Sequence, residues 1–184
     1  MSPRQVEIAS SRAIVEATRD LACAYYLDTA SYEERGNDGK FVLTCTFANI
    51  SAIAPGVPVI MDTKCASAGR TNAKYVGSIF GAYYPVDAVT LHPCLDSGAK
   101  TLQPFLERTD KGIFVSCSMA EEFRKLQVAI SMEEVSSLNR ANAVPWLSGI
   151  ATTQIPMPVY LAHTVAETWN KNKNCGIVVN PDLS

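Results

Sequence analysis

The chain has only two histidines, and none of its six cysteines falls in a Cys-x-x-Cys pair. Zinc centres need closer ligand spacing, and disulfide frameworks belong to small secreted chains. Cys23, Cys45, Cys65, Cys94, Cys117 and Cys175 are therefore expected as reduced, mostly buried thiols. No apolar run approaches the roughly 18–20 residues needed to span a bilayer, so membrane insertion is not expected. There is no basic excess either: 16 Lys and Arg stand against 18 Asp and Glu, a formal charge of −2. The cations are scattered, which leaves no electrostatic footprint for nucleic acid. The first twenty residues have no apolar core of a secretory signal. Arg4, Arg12 and Arg19 among serines resemble an organelle-targeting helix, but Glu7, Glu16 and Asp20 oppose it. The expected location is intracellular, cytoplasmic or organellar, mitochondria included. Asn49-Ile50-Ser51 then has the form of a glycosylation acceptor without the route to become one.

What is present is an ordinary globular composition, 47% hydrophobic and 18% charged, over 184 residues. That suits one domain spanning 1–184 with a substantial core. Apolar spacing predicts a helix over Ser10–Tyr26, a polar loop over Asp28–Gly39 and a helix over Phe41–Ala54. Short apolar runs follow at Val57–Met61, Ala88–Leu91, Gly112–Val115 and Gly176–Val179. Between them lie helical stretches at Thr71–Tyr83, Lys100–Glu107 and Tyr160–Trp169. Continuous apolar runs of four or five residues alternating with helices indicate βαβ units and a parallel sheet. Glu133–Pro158, with three prolines, reads as a long loop. Trp146 beside Pro145 reads as packing or as an interface anchor.

Chemistry in such folds sits at the carboxyl ends of strands, which singles out Asp62, Lys64, His92, Cys94 and Cys117. Asp62 and Lys64, two residues apart, can share one face, where each holds the other's charge in a low-dielectric setting. A buried ion pair without catalytic use fits them equally. Cys65 beside Lys64 could become a thiolate, although no base is identifiable. His163 falls inside a predicted helix and reads as a surface or packing residue.

Several segments go beyond pattern. Val59-Ile-Met-Asp-Thr-Lys, Ala68-Gly-Arg-Thr-Asn-Ala-Lys-Tyr, Val86-Asp-Ala-Val-Thr-Leu-His-Pro, Leu102-Gln-Pro-Phe-Leu and Lys111-Gly-Ile-Phe-Val follow in the order found in the orotidine 5′-monophosphate decarboxylases. The sequence resembles the branch found in bacteria and in some protists' fused pyrimidine enzymes. The likeness extends back to Ala24-Tyr-Tyr-Leu-Asp and Tyr32-Glu-Glu-Arg-Gly-Asn-Asp-Gly, and forward to Asn174-Cys-Gly-Ile-Val-Val. The resemblance implies an α/β fold in which the strands match the second to sixth of an eight-stranded TIM barrel, an incomplete parallel sheet with flanking helices. It also implies a usual homodimer and a decarboxylation that needs no metal or cofactor.

The family's charged network comprises a lysine on the second strand and an Asp-x-Lys-x-x-Asp element after the third. By resemblance, Asp62 and Lys64 are the retained catalytic pair, Tyr26 stands at the lysine of the second strand, and Ser67 stands at the last aspartate. Thr71 matches a substrate-binding threonine. The family's base-recognising Thr-Ser-Asn is matched by Met119-Ala120-Glu121, which lacks the central hydroxyl and adds a negative charge. Counterparts of the first strand and of the last two strands, with their Gly-rich phosphate loop and arginine, are not found in the sequence. These departures lead us to expect a pseudoenzyme: a scaffold in which other protein subunits cover the open sheet edges. Residues 133–158 and the first helix are candidate covers within the chain. An active decarboxylase of pyrimidine biosynthesis is the competing expectation.

Overall fold

A computed structural model describes residues 1–63, 69–81, 84–92, 99–117, 127–130 and 153–179. The chain divides into two compact units, Met1–Ile113 and Phe114–Ser184.

The first unit opens with α1 (Pro3–Thr18), which starts earlier than apolar spacing suggested because Ser2-Pro3-Arg4-Gln5 is a capping box. The Ser2 hydroxyl accepts the Gln5 amide and the Gln5 side chain accepts the Ser2 amide, satisfying two end donors. The predicted helix over Ser10–Tyr26 is corrected at its other end too. Thr18 turns its hydroxyl back onto Ile14 O, and the Leu21 amide closes onto Thr18 O. Tyr25 and Tyr26 then enter β1 (Tyr25–Asp28), where aromatic side chains suit a pleated, half-buried surface better than a helix end.

Asp28–Gly39 is likewise not a plain loop. The Asp28 carboxylate caps α2 (Thr29–Glu33) by accepting the Ala30 amide. Gly36, at φ +57°, supplies the left-handed residue from which α3 (Gly36–Ile53) starts. β2 (Val59–Asp62), α4 (Gly69–Ile79), β3 (Ala88–Leu91) and α5 (Ala99–Leu106) follow close to expectation, and β4 (Gly112–Ser116) begins at the end of this unit.

β1 pairs parallel with β2, Tyr25 to Asp28 opposite Val59 to Asp62, and β2 pairs parallel with β3, Asp62 opposite Thr90. Asp87 knits this layer at its amino end, its carboxylate accepting the Val59 amide at 2.9 Å and its carbonyl accepting the Gly112 amide at 2.8 Å. Leu27, Val59, Met61, Val89 and Leu91 are buried, as are Phe47, Ile50, Leu102 and Phe105 from the helices. Each large side chain so buried contributes roughly 1.5–3 kcal/mol.

The second unit carries the rest of β4, the antiparallel pair β5 (Gln127–Ile130) and β6 (Thr153–Pro156), and α6 (Met157–Thr164). A π-turn over Val165–Trp169 continues α6, and β7 (Cys175–Val178) ends the described chain. β5 and β6 were not anticipated: β5 follows a polar stretch, and β6 lies inside the predicted 133–158 loop. The remainder of that loop, with Trp146, lies outside the described residues. Among the described residues, neighbouring strands of the main sheet run in the order β1-β2-β3-β4-β7, with β1 and β7 at its margins. No described helix is long and apolar enough to cross a membrane.

Two glycines give opposite expectations for packing. A Cβ on Gly39 would lie 1.7 Å from the Tyr32 carbonyl oxygen, a backbone atom with little room to move, whereas one on Gly77 meets nothing within 4 Å. Gly39→Ala is expected to destabilise the protein by about 1–3 kcal/mol. Gly77→Ala, on the open side of α4, is expected to stabilise by about 0.4–1 kcal/mol. Urea unfolding midpoints of the two variants check both signs.

Candidate functional site at the strand ends

Side chains alternate across a strand, so the parallel register sorts the first three strands into two faces. Leu27, Val59, Met61, Val89 and Leu91 take one face. Tyr26, Asp28, Asp62 and Thr90 take the other, with Asp28, Asp62 and Thr90 side by side at the carboxyl ends. Asp28 is held by the Ala30 amide at 3.0 Å and the Ser31 hydroxyl at 2.7 Å. The Asp62 carbonyl accepts the Thr29 hydroxyl at 2.7 Å, tying β2 to the start of α2. The buried Thr63 hydroxyl and amide both reach Thr90 O, at 3.2 and 3.3 Å, and carry the β2–β3 contact one residue past β2.

Tyr26 extends toward the Asp62 carboxylate. Its phenol is pushed up to about 12, first by partial desolvation of a side chain that is still 55% exposed, then by its interaction with the Asp62 carboxylate. Asp28 adds to the rise and Thr90 opposes it. The interaction engages only part of the carboxylate, because Asp62 Oδ1 is buried with no hydrogen-bond partner among the described residues. The Thr90 hydroxyl is also without one by distance and angle, so its influence on Tyr26 is that of a neighbour and not of a well-formed bond. At neutral pH Tyr26 is thus an uncharged donor facing a carboxylate. It can position Asp62 but cannot supply positive charge.

Of the residues singled out from sequence, Tyr26 and Asp62 are brought together. Thr71 is exposed on α4, and His92 is exposed just beyond β3. Lys64, Cys65, Ser67, Cys94 and Met119-Ala120-Glu121 lie outside the described residues. Cys117 is buried in the second unit, and burial pushes its thiol up to about 11, so it stays protonated at neutral pH. It lines a cavity of about 500 Å³ with Pro158, Ala162, His163, Glu167 and Val179. His163 is half-buried, and its Nε2 has no partner among the described residues. Sequence reasoning missed Asp28 and Thr90. Thr90 lies within a run already read as a strand, whereas Asp28 was read as the start of a loop, and only the β1–β2–β3 register sets the two beside Asp62. Among the described residues no group of three or more His, Cys, Asp or Glu is placed to hold a metal ion.

A parallel sheet with flanking helices and polar side chains gathered at its strand ends is the arrangement of the α/β class of proteins, barrels among them. No protein-family model matches the chain. Among curated proteins, orotidine 5′-phosphate decarboxylase of Herpetosiphon aurantiacus is 36% identical over 92% of this chain and 54% of its own length. That of Halorubrum lacusprofundi is 32% identical over 93% of this chain and 51% of its own length. Among solved structures, Leishmania donovani OMP decarboxylase superposes with a TM-score of 0.73 at 23% identity, covering 97% of this chain and 61% of that one. A putative orotidine 5′-phosphate decarboxylase from Streptomyces avermitilis gives 0.65 at 26% identity, covering 96% and 57%. The chain is a homologue of the orotidine 5′-phosphate decarboxylases, and it spans about half the length of the curated relatives it matches.

The Tyr26–Asp62 contact has a pH signature. Above pH 10 a tyrosine in the unfolded chain loses its proton, while Tyr26 in the folded chain keeps it up to about 12. The folded state then binds more protons, so this contribution is complete below pH 10 and is lost as pH rises from 10 through 12. Stability should fall across that window, and less steeply in Asp62→Asn. Thermal melts between pH 9 and 12, with absorbance titration of Tyr26→Phe to assign the late phenol, measure both effects.

Proposed function

We propose that this chain keeps the decarboxylase fold without the decarboxylation chemistry, and that it serves as a structural subunit of a protein assembly. The observation that carries this reading is the phenol of Tyr26 set against Asp62, where the resemblance to the decarboxylases calls for a lysine. A neutral phenol supplies no positive charge from β1 to the polar row. Removing one preorganised electrostatic group of this kind typically costs ~3–4 kcal/mol in transition-state stabilisation. Ser67 and Met119-Ala120-Glu121, read from sequence, would add further losses at separate points. On this reading Asp62 and Lys64 are the vestigial pair and Thr71 a vestigial substrate contact. The margins at β1 and β7 are where partner subunits would attach, since unpaired strand edges template further pairing.

The names of the relatives support the competing reading, an active decarboxylase converting orotidine monophosphate to uridine monophosphate and carbon dioxide. Carbon dioxide release from orotidine monophosphate separates the two. The purified chain is expected to show none above buffer, and calorimetry with uridine monophosphate is expected to show no tight binding. Tyr26→Lys alone is expected not to restore turnover, because Ser67 remains. Turnover by the unaltered chain would reject the proposal. By light scattering the isolated chain should be oligomeric or poorly soluble, and pulldown should recover other subunits. A stable monomer without partners would count against the structural role.

A further inference from the structure

The peptide group that follows Asp62 is pinned from both sides. Its carbonyl accepts the Thr29 hydroxyl at 2.7 Å, and its amide, that of Thr63, donates to Thr90 O at 3.3 Å. The Thr63 hydroxyl reaches the same oxygen at 3.2 Å. Both threonines are buried, so water competes little for these contacts. The β1–β2 register runs as far as Asp28 opposite Asp62, and β1 ends there. Beyond that point the chain enters α2, whose Ala30 amide is taken by the Asp28 carboxylate. The Thr29 hydroxyl thus continues, from a side chain, the bonding that β1 no longer supplies to β2.

A peptide plane held at both of its polar atoms fixes the backbone of Asp62, and so the face toward which its side chain leaves the strand. The arrangement so held is not the least costly one. Asp62 Oδ1 is buried without a partner among the described residues, and a carboxylate on a loose strand end would turn toward water. We propose that Thr29 is a positioning residue, whose hydroxyl, seated on the first turn of α2, keeps the Asp62 carboxylate facing Tyr26. It acts through the Asp62 backbone, as supporting hydrogen bonds do when they lock the geometry of a polar site. The role goes beyond the structural-subunit reading and does not depend on it, because the clamp serves a working row and a vestigial one alike.

The test compares Thr29→Val, which keeps the volume and removes the hydroxyl, with Thr29→Ser, which keeps the hydroxyl and removes a methyl. Thr46→Val is the control, because the Thr46 hydroxyl is also buried and bonds Val42 O within α3, away from the row. Two readouts are taken on the full chain. One is hydrogen exchange of the Thr63 amide by ¹⁵N NMR, relative to the amide of Val89, which is buried within β3. The other is the late phenol, assigned by difference against the same variant carrying Tyr26→Phe. Thr29→Val is expected to speed the relative exchange of Thr63 by roughly tenfold, as local opening does. It should also bring the Tyr26 phenol from about 12 closer to 10, while Thr29→Ser and Thr46→Val leave both readouts near wild type. A phenol unmoved in Thr29→Val, or moved as far in Thr29→Ser, would overturn the proposal. So would an equal change in Thr46→Val, which would mean that any lost buried hydroxyl has the same effect. Should Thr29→Val fail to fold, Thr29→Ala takes its place with the same expectations. Turnover of orotidine monophosphate would remove the structural-subunit reading and leave this result standing.

Discussion

Everything described at the candidate site depends on the register of three parallel strands. With Asp28 opposite Asp62 and Asp62 opposite Thr90, a period of two fixes which side chains go to the apolar layer and which go to the opposite face. A slip of β2 by one residue would put Asp62 where Met61 sits and turn Val59 and Met61 onto the opposite face. The register is held at both ends. Asp87 binds the amides of Val59 and Gly112 at the amino end, and Thr29 and Thr63 bind the carbonyls of Asp62 and Thr90 at the carboxyl end. The apolar layer and the polar row are therefore two consequences of one constraint.

How much of this could be read from the residues varies with the kind of signal. Ala88–Leu91 and Gly112–Val115 were legible because a strand buried on both sides is a continuous apolar run, and all four residues of β3 are buried. Tyr25 and Tyr26 were misread as a helix end by spacing, and Asp28 as the start of a loop, because the four residues of β1 carry too little periodicity to outweigh a long helix before them. Matching of family segments nevertheless placed Tyr26 on a strand. The capping box at Ser2–Gln5 was in plain sight and was overlooked in favour of apolar spacing, which starts only at Ile14. β5 and β6 gave no usable signal, since Thr153–Pro156 ends in a proline and sits among loop-like residues.

The polar row was half legible. Asp62 stands out as the acid that closes an apolar run, and its resemblance to the decarboxylases marked it independently. Asp28 and Thr90 do not stand out, since the aspartate opens a stretch that reads as a polar loop and a threonine inside Ala-Val-Thr-Leu reads as strand filling. Asp28 in the structure caps α2. Its second role comes only from lying across from Asp62, which no local window contains. That Tyr26 would meet Asp62 follows from the same non-local pairing.

The unsatisfied atoms of this row bear on how the chain came to be as it is. Asp62 Oδ1 and the Thr90 hydroxyl are both buried without a partner among the described residues, and such groups cost on the order of 1–3 kcal/mol each. A sheet selected only for packing would have no reason to keep them, because apolar residues of similar volume fill the same space at lower cost. Local rules tend to break where a site has been built for chemistry. A phenol faces Asp62 without demanding a counter-charge, and Tyr26 remains more than half exposed.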